Sequence, residues 1–149
     1  MMLRTHLAIT VFAILIFIPN IDYPIYFAAV ALLACMLVDI DSYYSYVGNV
    51  AIFRPLQIFT KHRGMIHSIT LAVILSILLL FLSPKIALPF FVGYGLHVFV
   101  DSFTLEGVMP FWPYKGESKG IMHTGKHSES VIFFFFVLLD LFMTFVVFF

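Results

Sequence analysis

Five apolar segments, at roughly 7–18, 23–38, 66–82, 86–100 and 131–149, alternate with short stretches of Pro, Gly, Asn, Asp and charge, and this alternation limits what the chain can fold into. About 20 apolar residues span a bilayer core. The first and fourth segments are shorter than that, so their polar ends are expected to dip below the headgroups. Composition agrees: 62% of residues are apolar and 11% charged, with mean hydropathy +1.08, whereas soluble domains run near 45–50% and 25%. The expected fold is all-α, a polytopic membrane helix bundle of about five short transmembrane helices forming one domain over residues 1–149.

The connections from Pro19 to Asp22 and from Ser83 to Lys85 are tight, which makes segments 1–2 and 3–4 antiparallel hairpins followed by a single C-terminal helix. Between the hairpins, residues 42–65 carry Phe53, Leu56 and Phe59 at spacings that lay an apolar face on the membrane surface. If the segments alternate in direction, the N-terminus and the 39–65 and 101–130 connections share one side. That side holds Arg4, Arg54, Lys61, Arg63, Lys115, Lys119 and Lys126, against Lys85 alone on the other, so the positive-inside rule makes it cytoplasmic. The first apolar run lacks a small-x-small cleavage site and reads as a retained helix rather than a signal peptide.

Several classes are disfavoured at once. A formal net charge of zero offers no overall basic excess for nucleic acid. Cys35, the one cysteine, excludes an internal disulfide and a zinc site built from several thiolates. Any metal must rely on imidazole and carboxylate. Nothing in the sequence sets an oligomeric state.

The ionisable residues of the apolar segments gather at one depth. His6 begins segment 1, Asp39 and Asp41 end segment 2, His62 and His67 flank the start of segment 3, and His97 and Asp101 end segment 4. In an alternating bundle all seven lie on the loop side. His97 and Asp101, four apart, share a helix face. Asp39 and Asp41, about 200° apart on an α-helix, both point inward only if the helix ends or unwinds between them. Carboxylates at helix C-termini oppose the macrodipole, so a cation is expected beside them. A divalent ion held by His and Asp, zinc or manganese, supplies it; Arg4, Lys61 or Arg63 would do so by salt bridges instead.

Each histidine taken singly is more often an ordinary interfacial residue, and only the set points to metal. His123 and His127 are also four apart, but their glycine-interrupted basic surroundings favour a solvated loop. Asp140, in the middle of segment 5, reads as a neutral hydrogen-bonded carboxyl inside the bundle. Phe111, Trp112 and Tyr114 read first as interfacial anchors and second as a lid or acyl-chain contact. The Phe133–Phe136 run is lipid-facing or packing surface.

Arg4-Thr5-His6, Asp39-Ile40-Asp41-Ser42, His62-Arg63-Gly64-Met65-Ile66-His67-Ser68 and His97-Val98-Phe99-Val100-Asp101, with Thr104, Gly107 and Pro110, resemble the membrane-bound, metal-dependent hydrolase family first noted as a LexA-regulated protein. That family is distantly similar to the zinc-dependent phospholipase C and P1 nuclease group. The resemblance implies that His6, Asp39, His62, His67, His97 and Asp101 are ligands to one to three divalent ions, with Asp41 a ligand or an outer partner.

The chemistry expected from this is hydrolysis by metal-activated water, with Asp41 as general base and Arg63 holding a phosphate oxygen. A site at the interface favours a membrane-lipid phosphate or another phosphoester as substrate. The rival is a divalent-metal transporter or channel, or a membrane protein with a purely structural metal site. Transport calls for polar groups near the midplane, where only Asp140 would serve.

Overall fold

The structure, a computed structural model, describes residues 1–60 and 62–149, so Lys61 and its expected charge role lie outside the described residues. Six helices and no strands are found among these: α1 Leu3–Phe17, α2 Pro24–Leu37, α3 Arg54–Phe59, α4 Ile69–Leu82, α5 Pro84–Asp101 and α6 His127–Phe148. The expected all-helical bundle is present. Leu3–Asn20, Pro24–Asp41 and His127–Phe148 are long and apolar enough to cross a membrane, and Ile69–Leu82 is a shorter apolar helix.

Local chemistry sets the boundaries. Proline occupies the opening turn of α2 and of α5, where a missing N–H costs nothing. Ser68 caps α4, its hydroxyl oxygen accepting from the Leu71 N–H at 3.1 Å. Helices α1 and α6 each begin four residues before their apolar segments, because Leu3 with the polar Arg4–His6, and the polar His127–Ser130, extend the helices at their starts. The stretch between the hairpins contains only the short α3. There Phe53 and Leu56 are half-buried while Ile52, Ile58 and Phe59 face out, so the apolar face expected from Phe53, Leu56 and Phe59 is divided between core and exterior. A 3-10 turn at Ala51–Phe53 shifts the helical phase there.

Helix α5 lies centrally, packed against α2, α4 and α1, while α6 packs along α1. The buried positions Phe27, Ala31, Ala34 and Cys35 of α2, with Val38 in the turn that follows it, form one face of mostly small side chains. Small residues let membrane helices approach closely. Gly93 of α5 sits so near the Ala31 carbonyl that a methyl group there would collide with backbone. One apolar cluster, Ile14, Phe27, Ala31 and Val92, joins α1, α2 and α5. A second, including Ala34, Val38, Ala72, Tyr94 and Val98, joins α2, α4 and α5 next to the polar end.

Gly93→Ala is expected to destabilise the bundle by about 1–3 kcal/mol, the usual range for overpacking. Gly95→Ala serves as the control, since a methyl there meets only the Phe91 ring at 3.8–3.9 Å, an ordinary contact. Thermal unfolding in detergent should separate the two, and equal behaviour would remove the close α2–α5 approach from the account.

Candidate metal centre

The end of α2 tightens into a 3-10 turn at Val38–Asp41. At three residues per turn, positions two apart lie about 120° apart the short way round, against about 160° in an α-helix. Asp39 and Asp41 therefore both reach the interior side. The following loop fixes this turn: the Ser45 hydroxyl lies 2.6 Å from the Asp39 carbonyl oxygen, and the Gln57 amide donates to the Ile40 and Gly48 carbonyls at 2.8 Å each. Gly48 carries no side chain because a Cβ would strike the Ser42 and Asp39 carbonyl oxygens.

His97 and Asp101, one turn apart at the end of α5, are 1% and 2% exposed. His6, near the start of α1, stacks on His97 with ring centroids 3.8 Å apart and planes 4° from parallel. Its Nε2 is 3.2 Å from Asp101 Oδ1, which the amino nitrogen of Met1 also contacts. His67 enters from the segment before α4, where the Tyr94 hydroxyl donates to the neighbouring Ile66 carbonyl. These helix ends meet at one end of the bundle, as alternating directions require.

The imidazole nitrogens at the centre lack hydrogen-bond partners. Both nitrogens of His6 and the Nε2 atoms of His67 and His97 are buried and unsatisfied. His67 Nε2 and His97 Nε2 each lie 3.6 Å from Asp39 Oδ1 and 3.7 Å from Asp101 Oδ2. Such separations are long for hydrogen bonds. They suit neighbouring atoms around one ion, because bonds of about 2.0–2.2 Å place adjacent ligands roughly 3–4 Å apart.

Three metal-capable triads occur among the described residues: His6, His97 and Asp101; Asp39, His67 and His97; Asp41, His62 and His67. They form a chain, with His97 and His67 each belonging to two. The donor set and its unpartnered nitrogens fit a hard-to-borderline divalent ion such as zinc. Asp41 spans the outer pair, Oδ1 at 2.8 Å from His62 Nδ1 and Oδ2 at 3.2 Å from His67 Nδ1. That leaves His67 Nε2 directed inward, the way an outer carboxylate orients a metal-binding histidine. Burial disfavours charge on His67, but the carboxylates of Asp39 and Asp41 outweigh it and push its pKa up to about 9. An ion binding there displaces a proton.

At the mouth, the His62 side chain is 42% exposed and Arg63 stands beside it. Arg63 has φ 63°, a left-handed conformation that costs a non-glycine residue about 1–3 kcal/mol unless its surroundings hold it. They do: its guanidinium donates to Thr104 Oγ1 at 2.8 Å and to the Gly107 carbonyl at 3.2 Å. It also pairs with Glu106 at 2.8 Å and approaches Asp101 at 3.7 Å.

All seven expected ligands thus meet at one end of the bundle. Of the cations proposed to neutralise them, Arg63 approaches Asp101, whereas Arg4 lies over the Phe133 ring and reaches Ser130. His123 and His127 are exposed and belong to none of the three triads; His123 lies in the loop as expected, whereas His127 opens α6. Asp140 is half-buried on α6, and its Oδ1 lacks the hydrogen bond expected of it. Two functional neighbours escaped sequence reasoning. Glu106 pairs with Arg63, and Glu129 accepts from Met2 N at 2.6 Å, Thr5 Oγ1 at 3.0 Å and Gly125 N. An acidic residue in the first turn of an otherwise apolar helix was the available signal for Glu129.

Residues 1–148 match the family described as YdjM inner membrane protein. The chain belongs to that family. It is accordingly an integral membrane protein, in agreement with its three apolar spans. No curated protein and no solved structure matches the chain.

Proposed function

We propose that this YdjM-family protein is a membrane-embedded, metal-dependent hydrolase, a phosphoesterase that acts on a lipid or other phosphate ester at the cytoplasmic interface. The observation that carries the reading is the convergence of buried imidazole nitrogens without hydrogen-bond partners on two carboxylates, Asp39 and Asp101, with Arg63 beside them at the mouth. Buried ionisable groups at membrane depth are costly and are kept for function. His6, Asp39, His62, His67, His97 and Asp101 would hold one to three zinc or manganese ions, with Asp41 a further ligand or an orienting partner. Such ions supply Lewis acidity toward a phosphoryl oxygen and make water acidic enough to react near neutral pH.

The protein's own groups do the rest. Asp41 holds His62 and His67 in register; its side chain is buried with an oxygen on each imidazole, so as general base it would act through His62, whose ring is exposed at the mouth. Arg63, fixed by Thr104 and Gly107, would meet an anion with the Nη2 that Glu106 now holds. What supports a cytoplasmic orientation is the placement of Arg4, Arg54, Arg63, Lys115, Lys119 and Lys126 at the site end and Lys85 at the opposite one.

Metal analysis of purified protein, joined to hydrolysis assays on a panel of lipid phosphates, tests the reading against His97→Ala and Asp101→Ala. Metal-dependent turnover lost in both variants is the expected result. An active preparation free of metal, or full metal without turnover of any ester, would sink it.

Glu106, 59% exposed on its side chain, occupies the Arg63 face that an incoming phosphate needs. Exposed ion pairs contribute about 0.2–1 kcal/mol. Glu106→Gln is therefore expected to lower KM for an anionic ester by up to about fivefold, leaving kcat nearly unchanged. Arg63→Lys, which loses the fork of donors, should instead raise KM.

A further inference from the structure

Three cavities lie end to end on the site face. The first, about 310 Å³, opens over Asp39, His62, Arg63, Asp101 and Glu106. The second, about 120 Å³, shares His62, Arg63 and Glu106 with it and adds Met109 and Glu117. The third, about 520 Å³, shares Met109 and Glu117 with the second and is walled by Phe59, Met65, Trp112 and Pro113, with Lys115 also in its lining. Polarity changes along the row. Carboxylates and imidazoles stand at one end, a guanidinium in the middle, and thioether and aromatic surface at the other.

The walls are held in place. Val108 and Ser118 exchange backbone hydrogen bonds at 3.0 and 2.9 Å, closing the base of the loop that carries Met109 and Trp112. The Pro110 carbonyl accepts from Ile69 N at 2.9 Å, tying that loop to the start of α4. Met65 lies between His62 and His67, so one short segment supplies two candidate ligands, the arginine and part of the apolar wall. The aromatic residues divide by exposure: Phe111 at 64% and Tyr114 at 78% face outward as anchors do, whereas Trp112, at 39%, lines the cavity.

We propose that this row of cavities is a bipartite substrate site, in which the Phe59–Met65–Met109–Trp112 end takes the apolar tail of an amphiphilic phosphate ester whose phosphate lies at Arg63. The occupant follows from continuity with the metal residues and from the order of chemistry along the row. A volume near 520 Å³ falls within the roughly 300–1,000 Å³ of small-molecule sites. The proposal rests on the phosphoesterase reading for the identity of the head, and it narrows the substrate to esters with a tail.

Trp112 is the only tryptophan, so its emission reports on the apolar end without any need for turnover. Full-length protein in detergent is titrated with alkyl phosphates bearing a terminal bromine, a contact quencher, in a series of increasing chain length. Saturable quenching is expected, with apparent Kd tightening about three- to fourfold per added methylene. The bromoalkyl alcohol of equal length should bind at least about tenfold more weakly, for want of a charge-assisted contact to Arg63.

Phe59→Asp should abolish saturation while leaving metal content unchanged, because Phe59 is 87% exposed and carries no part of the core. Quenching that rises linearly in wild type, or that Phe59→Asp leaves intact, would overturn the proposal. Saturable, length-dependent quenching without hydrolysis of any ester would leave the tail site standing and remove the phosphoesterase reading. Hydrolysis indifferent to chain length, with no saturable quenching, would do the reverse.

Discussion

Alanine at His97 or at His67 is expected to cost more bound metal than alanine at His6 or at His62. The ranking follows from position: the inward Nε2 atoms of His97 and His67 each stand 3.6 Å from Asp39 Oδ1 and 3.7 Å from Asp101 Oδ2, whereas His6 and His62 join the cluster at its flanks. Loss of even an outer partner of a metal ligand weakens binding roughly 10–100-fold, so loss of a central ligand should exceed that. Metal-to-protein ratios after dialysis against a weak chelator measure it. If His62→Ala lost as much metal as His97→Ala, the placement of the metal between His67 and His97 would fail. His62 is the useful contrast because its side chain is 42% exposed, so its removal leaves no cavity. His97 is buried against His6 and Cys35, and its variant therefore needs an accompanying unfolding measurement. His97→Gln, which keeps most of the volume, separates lost ligation from lost packing.

The bundle and the convergence of its ends were legible because both follow from period and direction. Tight turns at Pro19–Asp22 and Ser83–Lys85 force reversal, and reversal alone puts the start of α1, the end of α2, the segment before α4 and the end of α5 at one level. Less of the local geometry could be read. That Asp39 and Asp41 share a side depends on the 3-10 turn, which is held by Ser45 and Gln57 from outside the helix. The left-handed backbone at Arg63 is stabilised by Thr104 and Gly107, some 40 residues away. No pattern in the sequence announces such partners. The division of Phe53, Leu56 and Phe59 between core and exterior came from a short turn that changed the helical phase, which spacing alone does not reveal.

Glu129→Ala is expected to destabilise the protein by about 3 kcal/mol and to loosen the His6 end of the site. The carboxylate accepts from Met2 N, Thr5 Oγ1 and Gly125 N, binding the chain before α1 and the turn before α6 to a single group. Thr5 is fully buried, so its hydroxyl would be stranded, at about 1–3 kcal/mol, while Met2 and Gly125 are exposed enough for water to replace part of their loss. Helix α6 packs along α1, and thus the same change weakens the attachment of the last span. Glu129→Gln should fall between: the amide oxygen still accepts from Met2 and Thr5, but its NH₂ then confronts the Gly125 N–H. Thermal unfolding, read with metal content, distinguishes a general packing role from positioning of His6. A variant that unfolds earlier yet retains all its metal would assign Glu129 to the α1–α6 joint alone. Early metal loss would show that the position of His6 depends on a carboxylate more than 120 residues away in sequence.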